Sequence, residues 1–190
     1  MDDCLFCLAS TALSNIKDLA IPSGVRVIAD SAFVDAAKLE SVTLPDTVRS
    51  IGASAFYGST ISSITIPADS VRIIGNSAFE ASHLVDIDVP EGVETIMERA
   101  FAKCDKLKTV AIAGTVRSIG ASCFSQSYYV QSVSLGEGVE RIGREAFLDM
   151  GYQWVYWNGS NSVKIDIPST ITKIFSSKSS RVRSSCFFSI

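Results

Sequence analysis

The residues that could do chemistry are few and lie apart in the sequence. His83 is the only histidine, and Cys4 and Cys7 form a single Cys-x-x-Cys pair. A histidine-assisted nucleophile or a metal site needs partner residues that converge on it, and a zinc or redox Cys-x-x-Cys comes with a second pair or a βαβ unit. The sequence indicates neither context, and it contains no P-loop, Gly-x-Ser-x-Gly or His-Glu-x-x-His motif. We therefore expect no catalytic residue, no metal site, no cofactor and no enzymatic activity.

Composition and charge argue against two further classes of function. The 190 residues are 47% apolar and 19% charged, and the net charge is −3. Three cations lie near the C-terminus, at Lys178, Arg181 and Arg183, so residues 1–177 hold 14 bases against 20 acids. Affinity for nucleic acids comes mainly from cations on phosphates, so this acidic body is a poor nucleic-acid binder. The sequence also lacks an apolar run of about 18 residues, so we expect no transmembrane segment.

A period of 22–23 residues runs through the chain. The phrase VRSIGASAF at 48–56 returns as VRSIGASCF at 116–124. A phenylalanine after a small residue recurs in steps of 23, 23, 22, 23 and 23 residues, at Phe33, Phe56, Phe79, Phe101, Phe124 and Phe147. The residue that closes an apolar triplet keeps the same period, at Ile21, Leu44, Ile66, Val89, Ile112 and Leu135. Two independent landmarks with one period indicate a repeat protein whose units stack.

Each unit is predicted to form a short strand, a turn and a second apolar stretch. In the second unit, Val42 and Leu44 alternate with polar residues, which places both side chains on one face of a strand. Pro45 ends that strand because it has no N–H to donate to a ladder. Val48 and Ile51 then lead to the phenylalanine. Because one unit cannot bury its apolar face alone, we expect parallel strands about 4.8 Å apart and a stacked column of phenylalanines inside the solenoid.

Small residues mark the tightest interior positions. The residue before the phenylalanine is alanine in five units and Cys123 in the sixth, and Cys104 takes the place that Ser59, Ser82 and Ser127 hold in other units. The five cysteines are odd in number and irregularly spaced, which favours buried thiols over a disulfide framework. The glycine that follows the isoleucine in four units is Ala29 and Met97 in two others, so this position does not require a positive φ.

Three units carry a family resemblance: LESVTLPDTVRSIGASAFYGS, LVDIDVPEGVETIMERAFAKCDK and VQSVSLGEGVERIGREAFLD resemble leucine-rich repeats of the BspA-like type. The proline after the triplet and the IGxxAF ending carry the resemblance, although Ala113 and Gly136 replace the proline in two units. The resemblance implies an α/β-type repeat solenoid dominated by short parallel β-strands, curved and right-handed, with about seven units of 22–23 residues. It covers residues 16–175, between an N-terminal cap at 1–15 and a Ser-rich basic tail at 176–190.

The resemblance also implies a role in recognition, often in adhesion of host-associated microbes, and no catalysis. We therefore expect a non-enzymatic module that binds a protein or a glycan. The alternative is a structural protein that self-associates through the ends of its solenoid, as a homodimer, because open sheet edges pair readily. The family implies the cell surface or secretion, whereas Asp2 and Asp3 stand where a signal peptide has basic residues, which favours a cytoplasmic location.

Outward residues of the first predicted strand are candidates for a binding surface. They are short and polar, and we single out Thr43, Thr65, Asp86, Asp88, Ser132 and Ser134. Such a face can hydrogen-bond a protein or a glycan, and a solvated surface explains the same pattern equally well.

The second stretch presents a column of arginines, Arg26, Arg49, Arg72 and Arg117, interrupted by Glu94 and Glu140. Neighbouring arginines repel one another unless an anion or a carboxylate lies between them. The column is therefore a candidate site for an anionic ligand such as a sulfated glycan, or a solvated face with interleaved charges.

The repeat becomes irregular over residues 148–175. By period the next strand is YQWVYW at 152–157, yet VKIDIPSTI fits the strand template ten residues later, so we expect a hairpin insertion, a truncated repeat or a cap. In the periodic interpretation Trp154 and Tyr156 point outward beside Ser132 and Ser134, where exposed aromatics would form a recognition hot spot. Alternatively, these aromatics cover the end of the core, since terminal repeats are atypical.

Overall fold

The computed structural model describes residues 5–6, 15–151, 164–166 and 168–174. Within them the chain forms fifteen short strands, all paired in parallel, in a β-solenoid of about five turns. The strands are β1 (Leu5–Phe6), β2 (Asp18–Ala20), β3 (Val27–Ile28), β4 (Ser41–Thr43), β5 (Ser50–Ile51), β6 (Ser63–Thr65), β7 (Ile73–Ile74), β8 (Asp86–Val89), β9 (Thr95–Ile96), β10 (Thr109–Ile112), β11 (Ser118–Ile119), β12 (Ser132–Leu135), β13 (Arg141–Ile142), β14 (Lys164–Asp166) and β15 (Lys173–Ile174).

The strands build two layers that face each other across the core. The odd-numbered strands form one eight-stranded sheet, in the order β1-β3-β5-β7-β9-β11-β13-β15. The even-numbered strands form the other layer, which is divided into a three-stranded sheet, β2-β4-β6, and a four-stranded sheet, β8-β10-β12-β14. Equivalent residues of successive units pair in register, so that Val42 lies between Leu19 and Ile64. The sequence period is therefore the stacking period of the sheets.

The core confirms the alternation read from the sequence. In β8, β10 and β12, exposed and buried residues alternate, and the inward residues of all units join one hydrophobic cluster. The phenylalanines form the expected column, with near-parallel rings whose centroids lie 4.9 Å apart at Phe33–Phe56 and 5.7 Å apart at Phe124–Phe147. Five of the rings are fully buried, and Phe147, the last, is only partly buried.

A third ladder of hydrogen bonds joins the units along the phenylalanine column. We call the five residues centred on each phenylalanine an arc; the second arc comprises residues 54–58. The N–H groups of Ser54, Phe56 and Gly58 donate to carbonyls of the next unit, at Asn76, Ala78 and Glu80, with distances of 2.8, 2.7 and 2.9 Å. The N–H of Tyr57 instead donates to the Ser54 carbonyl within the same arc at 3.1 Å. Alternate amides thus close turns and link neighbouring units.

This ladder requires positive φ at the first and last residue of every arc. These residues are Ser31, Asp35, Ser54, Gly58, Ser77, Ala81, Arg99, Lys103, Ser122, Gln126, Glu145 and Asp149. Only one of them is glycine, which is the residue type that marks such a conformation in a sequence. For the others the left-handed conformation costs about 1 kcal/mol or more and is imposed by the surrounding backbone pairing.

The period survives a local change of loop length. Between Phe56 and Phe79 the linker before the strand is one residue shorter than in the preceding unit, and the turn after Pro67 is one residue longer. The added residue, Ser70, is buried and donates its hydroxyl to the Pro67 carbonyl at 2.6 Å. The even-numbered layer divides at this unit, between β6 and β8.

The architecture differs from the expectation in one respect. The residues that the structure describes contain strands and turns but no helix, so the α/β-type description is not supported and the fold is a parallel β-solenoid. The count of about seven units, the right-handed winding and the division into cap, solenoid and tail stay predictions.

The strand that follows the irregular segment is β14, from VKIDIPSTI. Its register with β12 places Lys164 beside Ser132 and Asp166 beside Ser134. Lys164 and Asp166 thus hold the register positions beside those two serines, and the predicted outward position of Trp154 and Tyr156 falls outside the described residues. The Thr172 hydroxyl donates to the Glu140 carbonyl, 32 positions earlier, whereas equivalent contacts between other units join residues 22–23 positions apart. The extra residues therefore lie in the linker before β14.

Candidate recognition surface

The outward side chains of the even-numbered strands form two straight columns. One runs Asp18, Ser41, Ser63 and, in the second sheet, Asp86, Thr109, Ser132; the other runs Ala20, Thr43, Thr65 and then Asp88, Ala111, Ser134. All are exposed except Ser41, which is half-buried. Since the inward residues of the same strands are locked in the core, the backbone that carries these columns is held in place.

Hydrogen bonds within a column orient some of these groups. The Ser41 hydroxyl donates to the Asp18 carboxylate at 2.5 Å, and the Thr109 hydroxyl donates to that of Asp86. Thr43 and Thr65 are direct register partners. The structure therefore brings Thr43 and Thr65 together on the three-stranded sheet, and it places Asp86, Asp88, Ser132 and Ser134 together on the four-stranded sheet. We call these two columns the polar face.

Two of the four arginines in the column pair with carboxylates. Arg72 contacts Glu94 with an N–O distance of 2.5 Å, and Arg117 contacts Glu140 at 2.8 Å. Arg49 instead donates to the backbone carbonyl of Asp46 at 2.6 Å. Neither Arg26 nor Arg49 forms an ion pair within the described part of the chain. The part of the column open to an anion is thus its N-terminal end.

An ion cluster with a buried carboxylate joins the third and fourth arcs in the middle of the solenoid. The carboxylate of Glu80 is 4% exposed and accepts hydrogen bonds from Arg99 Nε at 2.9 Å and Arg99 Nη2 at 2.5 Å, with Lys103 Nζ at 3.3 Å. Burial pushes the pKa of Glu80 up, but hydrogen bonds from Arg99, Ser77 and Lys103 and the charge of Arg99 outweigh it, so the net shift of the pKa is downward.

The repeat pattern of the sequence does not predict this cluster. Glu80 and Arg99 are 19 residues apart and occupy different positions of the repeat, so the periodic alignment does not place them together. A signal was present, however: Glu80 is the only charged residue directly after the phenylalanine in the six described arcs, and Arg99 replaces the serine that four arcs carry at their first position.

The thiols that the structure describes are buried as expected. Cys123 is fully buried in the site before Phe124, and Cys104 lies in the column of Ser82 and Ser127. Cys104 Sγ donates to the Phe79 carbonyl at 3.2 Å, much as Ser127 Oγ donates to that of Phe101 at 3.0 Å. Burial raises the pKa of Cys104 to about 12 and raises that of Cys123 as well. Both groups are thiols that fill the core.

The described residues contain neither a metal-binding cluster nor a membrane-spanning helix. His83 is exposed in a linker, and Cys4 and Cys7 lie outside the described residues. Among the residues that are described, no group of His, Cys, Asp and Glu is arranged to hold a metal ion, and no helix is long and apolar enough to cross a membrane.

The glycines after the strand isoleucines confirm that this position has no positive φ. Gly52, Gly75, Gly120 and Gly143 all lack it. They are needed for another reason, because a Cβ at Gly120 would come within 2.4 Å of the backbone of the preceding unit. The units therefore stack at a distance that side chains at most of these positions would disturb.

Stacked units of this length, each with a strand, a turn that starts at proline in most units, and a phenylalanine arc, define a leucine-rich-repeat solenoid. The family model described as BspA type leucine rich repeat region, of which six copies are found, matches residues 9–131 and 112–187. The chain belongs to this family.

Solved structures give the same result. A leucine rich cell surface protein from Faecalibacterium prausnitzii is 28% identical with a TM-score of 0.61, and the match covers 85% of this chain and 48% of that one. The T. pallidum leucine rich repeat protein is 28% identical with a TM-score of 0.72, covering 84% and 73%. A leucine-rich repeat protein from Bacteroides ovatus is 26% identical with a TM-score of 0.66, covering 84% and 39%. The chain thus spans about half the length of the first of these proteins. A search of curated protein sequences finds no match.

Proposed function

We propose that this chain is a non-enzymatic recognition module that binds a protein or glycan partner through its polar face, in the manner of a surface or adhesion protein. The observation that carries the proposal is the polar face itself: two columns of short polar side chains, exposed and registered strand by strand. The Faecalibacterium relative, described as a cell surface protein, supports a surface role.

The rigidity of the face supports binding. Its side chains are short, so ordering them on contact costs little rotamer entropy, and the strands beneath are fixed by the core. A flat surface of hydroxyls and carboxylates offers both donors and acceptors, which suits the hydroxyl groups of glycans and the polar side chains of proteins. Asp86 and Asp88 add negative charge in the middle of the polar face, on β8, which favours a partner with cations opposite them.

Binding to a glycan array and to a panel of extracellular matrix proteins tests this proposal. The variant Thr43→Arg/Thr65→Arg places two bulky side chains on the three-stranded sheet, and Asp86→Asn/Asp88→Asn removes the charge from the four-stranded sheet. The control is Ala37→Arg, at an exposed linker residue away from the face. We expect either face variant to lose at least about tenfold in affinity while the control binds normally, since several contacts of about 1 kcal/mol are lost together. Equal binding by all three variants would discard the polar face as the site.

The N-terminal end of the arginine column is a second candidate site, for an anionic glycan. Its support is that Arg72 and Arg117 already pair with carboxylates, whereas Arg26 and Arg49 do not pair within the described residues. Heparin binding should fall in Arg26→Ser/Arg49→Ser and persist in Arg72→Ser/Arg117→Ser. Binding that survives the first pair of substitutions argues against an anion site there.

Trp154 and Tyr156 remain proposed contributors to recognition. The inserted linker that contains them precedes β14, whose neighbour β12 carries Ser132 and Ser134. Trp154→Ala should weaken partner binding without changing the unfolding transition, because an aromatic anchor acts on affinity. If it instead lowers the unfolding midpoint and leaves binding intact, the aromatics cover the core.

A further inference from the structure

The interface between the third unit, which holds β6 and β7, and the fourth unit, which holds β8 and β9, is unpaired on one side. Strands β6 and β8 belong to separate sheets, although the chain is described throughout both units. Ile21 and Leu44 donate their N–H groups to carbonyls of the next unit at 3.0 and 3.1 Å. The equivalent N–H of Ile66 finds no backbone acceptor in the fully described fourth unit. A link that joins each of the first two units to the next is therefore missing here.

Backbone hydrogen bonds bound this gap at both ends. Before the strands, the Val85 N–H donates to the Ser62 carbonyl at 3.1 Å. After the strands, the Asp69 N–H donates to the Glu91 carbonyl at 2.8 Å. The two units therefore approach each other at the linker and at the turn, and the gap is confined to the strands between these points.

The core is less well covered at the gap than elsewhere in the middle of the solenoid. The inward residues at the centre of the even-numbered strands form a column, and those at Val42, Ile87, Val110 and Val133 are 1–2% exposed. Ile64, the central residue of β6, is only partly buried. Partial exposure of an inward residue in the middle of a stack is what an incomplete contact with the next unit produces.

The other side of the same interface carries an additional contact. Strands β7 and β9 pair in register, and the rings of Phe79 and Phe101 stack at 5.2 Å, as at the other interfaces of the phenylalanine column. Only here does an ion cluster join the arcs: Glu80 of the third unit contacts Arg99 and Lys103 of the fourth. All other ion pairs of the described residues have both side chains at least 37% exposed.

We infer that the solenoid consists of two cooperative blocks, residues 15–81 and 82–151, and that the ion cluster keeps the two blocks coupled. The stability of a repeat protein is close to a sum of unit and interface contributions, so cooperativity breaks first at the weakest interface. Without the ion cluster, the interface between the third and fourth units has the fewest contacts, because its strands β6 and β8 do not pair. Each block carries one half of the polar face, so uncoupling lets the two halves move independently.

Urea unfolding of the full chain, followed by the NMR methyl signals of Ile51 and Ile119, tests the inference. Both side chains lie in the core, one in each block. The variant Glu80→Ala/Arg99→Ser removes the ion cluster and installs residues that other units carry at these positions, Ala102 and the serine of four arcs. In the unaltered chain both signals should share one midpoint. In the variant the two midpoints should differ by about 0.5 M or more.

The matched control is Arg72→Ser/Glu94→Ser, which removes an exposed ion pair across the same interface. Its two methyl signals should keep a common midpoint. A common midpoint in the ion-cluster variant overturns the inference, because the blocks then stay coupled without the cluster. Separate midpoints in the unaltered chain or in the control overturn it as well, because the cluster is then not the contact that couples the blocks.

Discussion

Arg99 holds the carboxylate of Glu80 with two parallel hydrogen bonds, across the boundary between the third and fourth units. The carboxylate is buried, while the guanidinium lies at the rim with 39% of its side chain exposed. Arg99 is also one of the bulky residues held at positive φ, 58°. A strained, buried and charge-assisted contact of this kind joins two units more firmly than the exposed ion pairs elsewhere on the solenoid.

The contrast between buried and exposed pairs is measurable. Arg99→Ala leaves Glu80 in the core with Lys103 as its remaining cation, and we expect a loss of about 3 kcal/mol in the free energy of unfolding. The matched variant Arg72→Ala breaks an exposed pair, whose side chains are 60% and 52% exposed, and should cost less than about 1 kcal/mol. Urea unfolding of both variants gives the comparison; equal losses would show that burial of Glu80 contributes nothing.

The same carboxylate makes stability depend on pH. The pKa of Glu80 is lower in the fold than its ordinary value of 4.5, so its charge stabilises the fold at pH above about 4.5, and this contribution is lost as pH falls through the folded pKa. We expect the difference in unfolding free energy between the unaltered chain and Glu80→Gln to be full at pH 7 and to shrink below pH 4.5. The other carboxylates are common to both chains and cancel. A difference that stays constant from pH 7 to pH 3 would contradict the shift.

Two glycines in the turns that follow β10 and β12 should respond differently to an added methyl group. A Cβ at Gly138 would lie 1.6 Å from the Gly114 carbonyl oxygen, whereas a Cβ at Gly114 has its nearest neighbour at 3.8 Å. Gly138→Ala should therefore destabilise by about 1–3 kcal/mol through backbone displacement, and Gly114→Ala should stay within about 0.5 kcal/mol. The thermal unfolding midpoints of the two variants measure this difference, and similar midpoints would refute the close approach of the two backbones.

The buried thiols should be inert in the fold. With the pKa of Cys104 raised to about 12, little thiolate exists at pH 8, and Cys123 is equally enclosed. Alkylation at pH 8, mapped by peptide mass spectrometry, should modify both residues in urea and neither in the native chain.

Substitution of Cys104 checks its place in the serine column. Cys104→Ser keeps a donor for the Phe79 carbonyl and should cost less than about 1 kcal/mol, whereas Cys104→Val removes the donor and should cost about 1–3 kcal/mol. If the valine variant is the more stable of the two, the hydrogen bond to Phe79 is not a determinant of stability.

The sequence predicts those features that repeat. The phenylalanine column and the inward position of Val42 follow from spacing alone, because each unit repeats the same burial requirement. It does not predict the positive φ of Arg99 and Lys103, since the residue types give no sign of it and the backbone ladder imposes it.

Features that occur in only one unit are visible only in the folded structure. The contact between Glu80 and Arg99 joins two different repeat positions, so no alignment of units reveals it. Likewise YQWVYW and VKIDIPSTI both satisfy the strand template, and only the register of Lys164 with Ser132 decides which segment pairs with β12. The residues of the polar face could be named from the sequence, whereas the pairing of Arg72 with Glu94 and of Arg117 with Glu140 is visible only in the structure.

In the third unit a shorter linker before the strand is offset by the added Ser70 in the turn after it, so the loops of this solenoid tolerate changes in length. The fourth unit has the same shorter linker without an added residue, and its strand β9 still pairs in register with β7 and β11. Loop length can therefore change by one residue while strands and arcs stay stacked, and adding or removing whole units would change the length of the polar face without altering the core of the others.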